Sequence, residues 1–211
     1  MFFFDTETTG LPSKDKTARD KYFPYENLEA YDSSRIVSIS WLVYDFLGKL
    51  KAQKYFIIKP DGFVSHPKAL EVHKITHEEA MEKGVPIKEV FKQLKEDLKY
   101  EKTLLAYNAK FDYNILLSEG FRYNDRELVN MVKTRHLNCI QKIAINKIDN
   151  LVCRYRFYPK MEEVIRHLFP PDTESQESVF NTSHNALDDT YQCAKIFFYL
   201  NSGIYLKPII C

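Results

Sequence analysis

The period of the apolar residues changes once along this chain, and that change restricts the fold more than any other feature. Residues 1–5, 35–45 and 53–58 read as strands, the second carrying Ile36, Val37, Ile39, Trp41, Leu42, Val43 and Tyr44. A turn at Phe46, Leu47, Gly48 and Lys49 joins the second to the third, so the early strands form an antiparallel meander. From Thr76 the spacing becomes helical: Thr76 with Glu79 reads as a capping box, and Val90, Phe91, Leu94 and Leu98 recur at helical intervals after Pro86. Residues 103–107 are a short apolar strand, followed by a helix over 109–119 that Gly120 is expected to end. Such alternation implies an α/β fold with a mixed sheet and helices on its faces.

Residues 123–159 are expected to hold one more strand and some helix. A helix over 161–168 stops before Pro170 and Pro171, a Ser-, Thr- and Glu-rich loop over 171–183 is expected to be mobile, and a last helix spans 185–200. The 211 residues, 45% hydrophobic and 28% charged, fit one domain better than two small ones. The apolar start, Met1 to Phe4, is followed at once by Asp5 and Glu7 and so lacks the form of a signal peptide. No apolar run approaches the roughly 20 residues of a membrane span. The expected location is therefore cytoplasmic or nuclear, without secretion or membrane attachment. Cys139, Cys153, Cys193 and Cys211 form no C-x-x-C pair, against both a disulfide framework and a structural zinc site. With a formal net charge of +1, binding to a polyanion would have to come from local basic surface or metal ions.

Acidic residues stand in three places where a solvated charge is not the natural reading. Asp5 and Glu7 lie two apart at the end of an apolar strand, so their side chains share a side and repel unless a cation lies between them. Taken alone, the pair is equally compatible with a loop end. Asp112 falls on the first turn of a helix after a short strand, where a carboxylate would by itself be explained by the helix dipole. In the last helix Asp189 heads a stripe with Cys193, Ile196 and Leu200, with Ala186 a turn before, whereas Asp188 shares its side with Gln192, Lys195 and Tyr199. Asp189 is thus aimed inward, and a buried carboxylate demands a partner or a metal. Together Asp5, Glu7, Asp112 and Asp189 are hard oxygen donors of the kind magnesium or manganese prefers.

This constellation resembles the DEDDh family of 3′-to-5′ exonucleases. The matching motifs are Asp5-Thr6-Glu7-Thr8-Thr9-Gly10-Leu11, Asn108-Ala109-Lys110-Phe111-Asp112, and His184 followed five positions on by Asp189, with Val72-His73-Lys74-Ile75-Thr76-His77-Glu78 similar to the segment after the family's third strand. The resemblance implies an RNase H-like mixed five-stranded sheet with one antiparallel strand and helices on both faces. It implies release of nucleoside 5′-monophosphates from nucleic-acid 3′ ends with two divalent cations, Mg2+ or Mn2+. Asp5 would bridge the two ions, Glu7 and Asp189 would complete one site, Asp112 would hold the other, and His184 would be the general base. Thr6, Leu11, His73, Asn108 and Phe111 would meet the terminal nucleoside, over a turn where Gly10 permits a left-handed backbone. The implied partner is a nucleic acid with a free, single-stranded 3′ terminus. The first and histidine-containing motifs are most similar to polymerase-proofreading members, which favours DNA and a polymerase or another replication or repair partner. An exoribonuclease, an RNase H-type endonuclease and a catalytically silent binding module are the competing readings.

Two segments depart from the family pattern. Residues 12–34 mix Lys14, Lys16, Arg19 and Lys21 with Tyr22, Phe23, Tyr25 and Tyr31, which suits either a grip on single strands or an excursion folded on its own aromatics. Across 142–160, Lys142, Lys147, Arg154, Arg156 and Lys160 outnumber Asp149, compatible with a backbone-binding flank or a solvated face.

Overall fold

The computed structural model describes residues 1–18, 21–149, 158–170 and 185–206. Five strands, β1 (Phe2–Thr8), β2 (Ile36–Tyr44), β3 (Leu50–Ile57), β4 (Thr103–Ala106) and β5 (His136–Cys139), form one sheet in the order β3-β2-β1-β4-β5. β2 runs antiparallel to both its neighbours, and β1, β4 and β5 are parallel, so β2 is the single reversed strand. This is the RNase H-like arrangement expected from the sequence.

Three consecutive phenylalanines in β1 can all be buried only if both faces of the sheet are covered, because successive side chains point to opposite sides. They are. Phe2 and Phe4 enter one core with Trp41 and with residues of α3 (Ile87–Leu98), α4 (Ala109–Arg122) and α5 (Arg126–Lys133). Phe3 enters the other core with Leu42, Tyr44 and residues of α6 (Ile140–Lys147), α7 (Met161–Leu168) and α8 (Ala186–Ser202). The same alternation carries Asp5 and Glu7 to the α8 side and Thr6 to the α4 side. No helix among the described residues is long and apolar enough to cross a membrane.

The helix expected to stop at Gly120 runs on to Arg122, and this glycine serves packing instead of capping. A Cβ there would lie 3.1 Å from Val129 Cγ2 and 3.5 Å from Leu128 Cδ2, so its absence lets α4 and α5 approach closely. The short α1 (Pro67–His73), with a His66 side-chain cap and Pro67 in its first turn, was not anticipated, whereas Thr76 caps α2 (His77–Lys83) by accepting from Glu79 N–H at 3.1 Å. The 171–183 loop lies outside the described residues.

Candidate active site

β1 pairs with β4 only at Phe2↔Leu104 and Phe3↔Leu105, and β4 ends at Ala106 while β1 continues to Thr8. The last half of β1 therefore runs past the carboxyl end of β4 and borders the crevice there, the usual place for a site in an open α/β sheet. Asp112, 3% exposed on the first turn of α4, fills the gap that β4 leaves. Its Oδ1 accepts from Thr6 N–H at 3.0 Å and from the Thr6 hydroxyl at 2.8 Å.

On the opposite side, the register pairs Asp5 with Ser40 and Glu7 with Ser38. Ser40 is the anchor for α8: its hydroxyl donates to Ala186 O at 2.6 Å, Thr190 Oγ1 donates to the same carbonyl at 2.7 Å, and the two hydroxyls touch. Asn185 starts the helix by accepting from Leu187 N–H at 2.9 Å. With the first turn of α8 fixed above the residue paired with Asp5, Asp189 meets β1. Carboxylate oxygens of Asp5, Glu7 and Asp189 lie within 4.8 Å of one another. Asp188 is exposed, while Cys193 and Ile196, on the Asp189 stripe, are buried in the core.

The electrostatics fit a cation. Burial first, then Asp112, Asp189 and Glu7, push the Asp5 carboxyl well above its ordinary 3.8. Burial also raises Asp112, to about 7, although its bonds with Thr6 oppose the shift. Burial and mutual repulsion make converging carboxylates costly to ionise without a counter-charge, and a divalent cation supplies it. The all-oxygen donor set of Asp5, Glu7 and Asp189 suits such an ion.

Hydroxyls hold the turn after β1. Thr8 and Ser34 both donate to Gly10 O, at 2.7 and 2.8 Å, and Ser33 donates to Leu11 O at 2.9 Å. Thr9 donates to Ser33 O at 3.0 Å and accepts from Arg35 N–H at 2.9 Å. Ser33, Ser34 and Arg35 escaped the sequence reading, although two adjacent serines before a strand are a turn signal. The left-handed backbone expected at Gly10 is not found: positive φ among the glycines occurs at Gly48, Gly62 and Gly203. Gly10 is required for space, because a Cβ there would stand 2.8 Å from Ser33 O.

The other expected nucleoside contacts fall around this crevice in different states. Leu11 is 71% exposed on the turn, Asn108 is exposed at the start of α4, and Phe111 is half-buried against the α4-side core. His73, 6% exposed, accepts from Ile75 N–H at Nδ1 over 3.0 Å, and burial holds its pKa below the usual value. The ring is therefore neutral with its proton on Nε2, and Nε2 has no hydrogen-bond partner among the described residues. The Thr6 hydroxyl is committed to Asp112. His184 lies outside the described residues, one position before Asn185.

In the two departing segments, Tyr31 is buried and donates to Phe23 O at 2.6 Å, and Phe23 and Tyr25 pack on the core. Lys14, Lys16 and Lys21 are exposed, and Arg19 lies outside the described residues. Lys147 donates to Leu200 O at 3.1 Å and Asn201 Oδ1 at 2.9 Å, and Lys160 stands 3.7 Å from Glu162, so both have structural partners. Lys142 is exposed, and Arg154 and Arg156 lie outside the described residues.

No curated protein matches this sequence. Among solved structures, a zinc-bound exonuclease I–single-stranded DNA complex from E. coli matches with a TM-score of 0.67 at 16% identity, over 96% of this chain and 41% of that one. An exonuclease I from Methylocaldum szegediense matches with a TM-score of 0.67 at 14% identity, over 96% and 40%. The product-bound structure of exonuclease I gives 0.65 at 16% identity, over 92% and 41%. The chain thus spans about two-fifths of the proteins whose fold it shares. A family model described as Exonuclease (RNase_T) matches residues 2–197, which takes in every strand among the described residues, the four carboxylates and most of α8, and on that match the chain belongs to the exonuclease family.

Proposed function

We propose that this exonuclease works from the 3′ end, releasing nucleoside 5′-monophosphates with two divalent cations, Mg2+ or Mn2+. The carrying observation is the convergence of Asp5, Glu7 and Asp189 from a strand and a helix onto one partly buried point, with Asp112 suspended beside it from Thr6. In this reading Asp5 would serve both ions, Glu7 and Asp189 would complete one site, and Asp112 would contribute to the other. When bound, the ions stabilise charge developing on the phosphate and ease deprotonation of water.

The chain's own groups do the rest. His184, just before the cap of α8, takes the proton from the attacking water. Leu11 presents an apolar surface to the terminal base, with Phe111 and Asn108 at the crevice rim. His73 offers the donor at Nε2 to the terminal nucleoside, since a buried N–H with no partner among the described residues is a costly arrangement that a ligand acceptor relieves.

Single-stranded DNA is the favoured substrate, because exonuclease I, with which this chain shares its fold, is bound to single-stranded DNA in one of the matching structures. Association with a polymerase or another replication or repair protein is proposed on the sequence resemblance alone, and a cytoplasmic or nuclear location on the sequence pattern alone. The test is digestion of 3′- and 5′-labelled DNA and RNA oligonucleotides, single- and double-stranded, with and without Mg2+ or Mn2+. Mononucleotide release from the 3′ label first, dependent on metal, is expected; release from the 5′ end, or internal cuts in circular DNA, would overturn the reading.

A further inference from the structure

We infer that the outer surface of α4 and its neighbours carries the nucleic-acid strand upstream of the terminal nucleotide, on a strip formed by Lys110, Tyr113, Tyr25, Lys133 and Phe121. This rests on the exonuclease reading for the direction of the strand and adds a surface to it. Lys110 and Tyr113 lie two residues before and one after Asp112, but α4 turns the buried Asp112 onto Thr6 and leaves these two less buried. Lys110 Nζ stands 5.7 Å from the centre of the Tyr113 ring. Farther from the crevice, Lys133 Nζ stands 5.3 Å over the Tyr25 ring and donates to its hydroxyl at 3.3 Å. Tyr25 meets Phe121 edge-on at 5.9 Å, and Phe121 is 44% exposed.

At about 1.5 Å per residue, the interval from Lys110 to Phe121 extends roughly 16 Å along the helix, away from the crevice. Aromatic rings with ammonium groups alongside are what a single strand needs, since bases stack on rings and phosphates seek cations regardless of sequence. The formal net charge of +1 gives no global attraction for a polyanion, so a localised strip has to supply it. Glu26 is an acidic group that lies near Lys133. In the 12–34 excursion Phe23 and Tyr31 pack inward, while Tyr25, which also touches the core, meets Phe121 and Lys133 at this surface.

A second cation–aromatic pair provides the comparison. Lys99 Nζ lies 5.6 Å from the Tyr100 ring, just before β4 and so at the amino end of that strand, opposite the crevice at its carboxyl end. The experiment measures fluorescence anisotropy of a 5′-labelled 12-nucleotide single-stranded DNA with a phosphorothioate 3′ linkage, across salt concentrations, together with cleavage of that sequence and of a dinucleotide. For Lys110→Ala/Lys133→Ala, Kd for the 12-mer should rise about tenfold and the salt slope should fall by about 1.4, as two lost phosphate contacts require. The kcat/KM advantage of the 12-mer over the dinucleotide should shrink accordingly. Lys99→Ala should leave affinity and slope unchanged. An unaltered Kd and slope in the double variant, an equal loss on both substrates, or an effect of Lys99→Ala of the same size overturns the strip. A wild-type protein that bound the 12-mer but cut nothing from a 3′ end would overturn the exonuclease reading while the anisotropy still judged the strip.

Discussion

Thr6 donates twice to one oxygen of Asp112, from its backbone N–H at 3.0 Å and from its hydroxyl at 2.8 Å. The N–H is available because β4 has ended before this point of β1, so the helix that follows β4 supplies the acceptor that a longer strand would have supplied. Both bonds favour the ionised carboxylate, against the burial that raises it to about 7.

Thr6→Val should therefore act on ionisation more than on shape. It removes the hydroxyl and keeps the N–H, at a cost of about 1 to 3 kcal/mol for a buried bond to a charged acceptor. The Asp112 pKa should climb further, so activity at pH 7 in limiting Mg2+ should fall several-fold and recover in part at pH 8.5. An unchanged pH–rate profile would show that this hydroxyl does not set the charge of Asp112.

Asp189 and Asp188 are adjacent, yet one points to β1 and the other to solvent. Asp189→Asn should abolish metal-dependent cleavage, with the far-ultraviolet circular dichroism and melting temperature close to those of the parent. Asp188→Asn should keep most of the activity. Reversed behaviour of the two variants would assign the metal to the other aspartate.

The parts legible in the sequence were those set by local period. Alternation in β1 sends Phe3, Asp5 and Glu7 to one face, and the helical stripe through Cys193 and Ile196 selects Asp189. Features that depend on contacts between distant segments were not legible. Gly120 sits where a C-terminal glycine would, but its role is set by Val129 on the next helix, and Gly10 is set by Ser33 O. The suspension of Asp112 from Thr6 depends on the unequal lengths of β1 and β4, which neither strand encodes alone. α1 escaped because its side-chain cap is His66 Nδ1, which accepts from Lys68 N–H at 3.2 Å, outside the usual set of Ser, Thr, Asp and Asn.

Metal-free protein should lose stability as pH rises from about 4 to about 7. Asp5 and Asp112 both have folded-state pKa values above 3.8, the latter about 7, so in that window the native state holds protons that the unfolded chain has released. The penalty is fully present above the folded value. In EDTA the melting temperature should thus be higher near pH 5 than at pH 8. Adding Mg2+ or Mn2+ should raise it markedly at pH 8 and little at pH 5, where protons compete for the same carboxylates. A metal-free melting temperature that rose across this range would contradict the raised carboxylates.

His184→Ala should separate proton transfer from metal binding. The carboxylates are untouched, so calorimetric titration with Mn2+ should give affinities close to those of the parent. The cleavage rate should drop about 100- to 10,000-fold, and the acid limb of the pH profile, which reports protonation of an imidazole, should disappear. Full activity with the same profile between about pH 5 and pH 8 would remove histidine from the mechanism.

Gly10→Ala tests whether the turn after β1 is held by close packing. The backbone at Gly10 is not left-handed, so alanine brings no conformational penalty of that kind, and its effect must come from the Cβ placed 2.8 Å from Ser33 O. That oxygen cannot retreat freely, because it also accepts from the Thr9 hydroxyl at 3.0 Å while the Ser33 hydroxyl holds Leu11 O at 2.9 Å. The strain should pass along these bonds to Leu11, the exposed residue of the turn. A loss of about 1 to 3 kcal/mol in stability is expected, as for overpacking elsewhere. The carboxylates proposed to hold metal lie on β1, α4 and α8, outside the turn, so KM for oligonucleotide should rise more than kcat falls, and Mn2+ affinity should stay near that of the parent. If Gly10→Ala kept the parent melting temperature and KM, the turn would be able to open around a methyl group, and a fixed platform beneath the 3′ nucleotide would have to be abandoned.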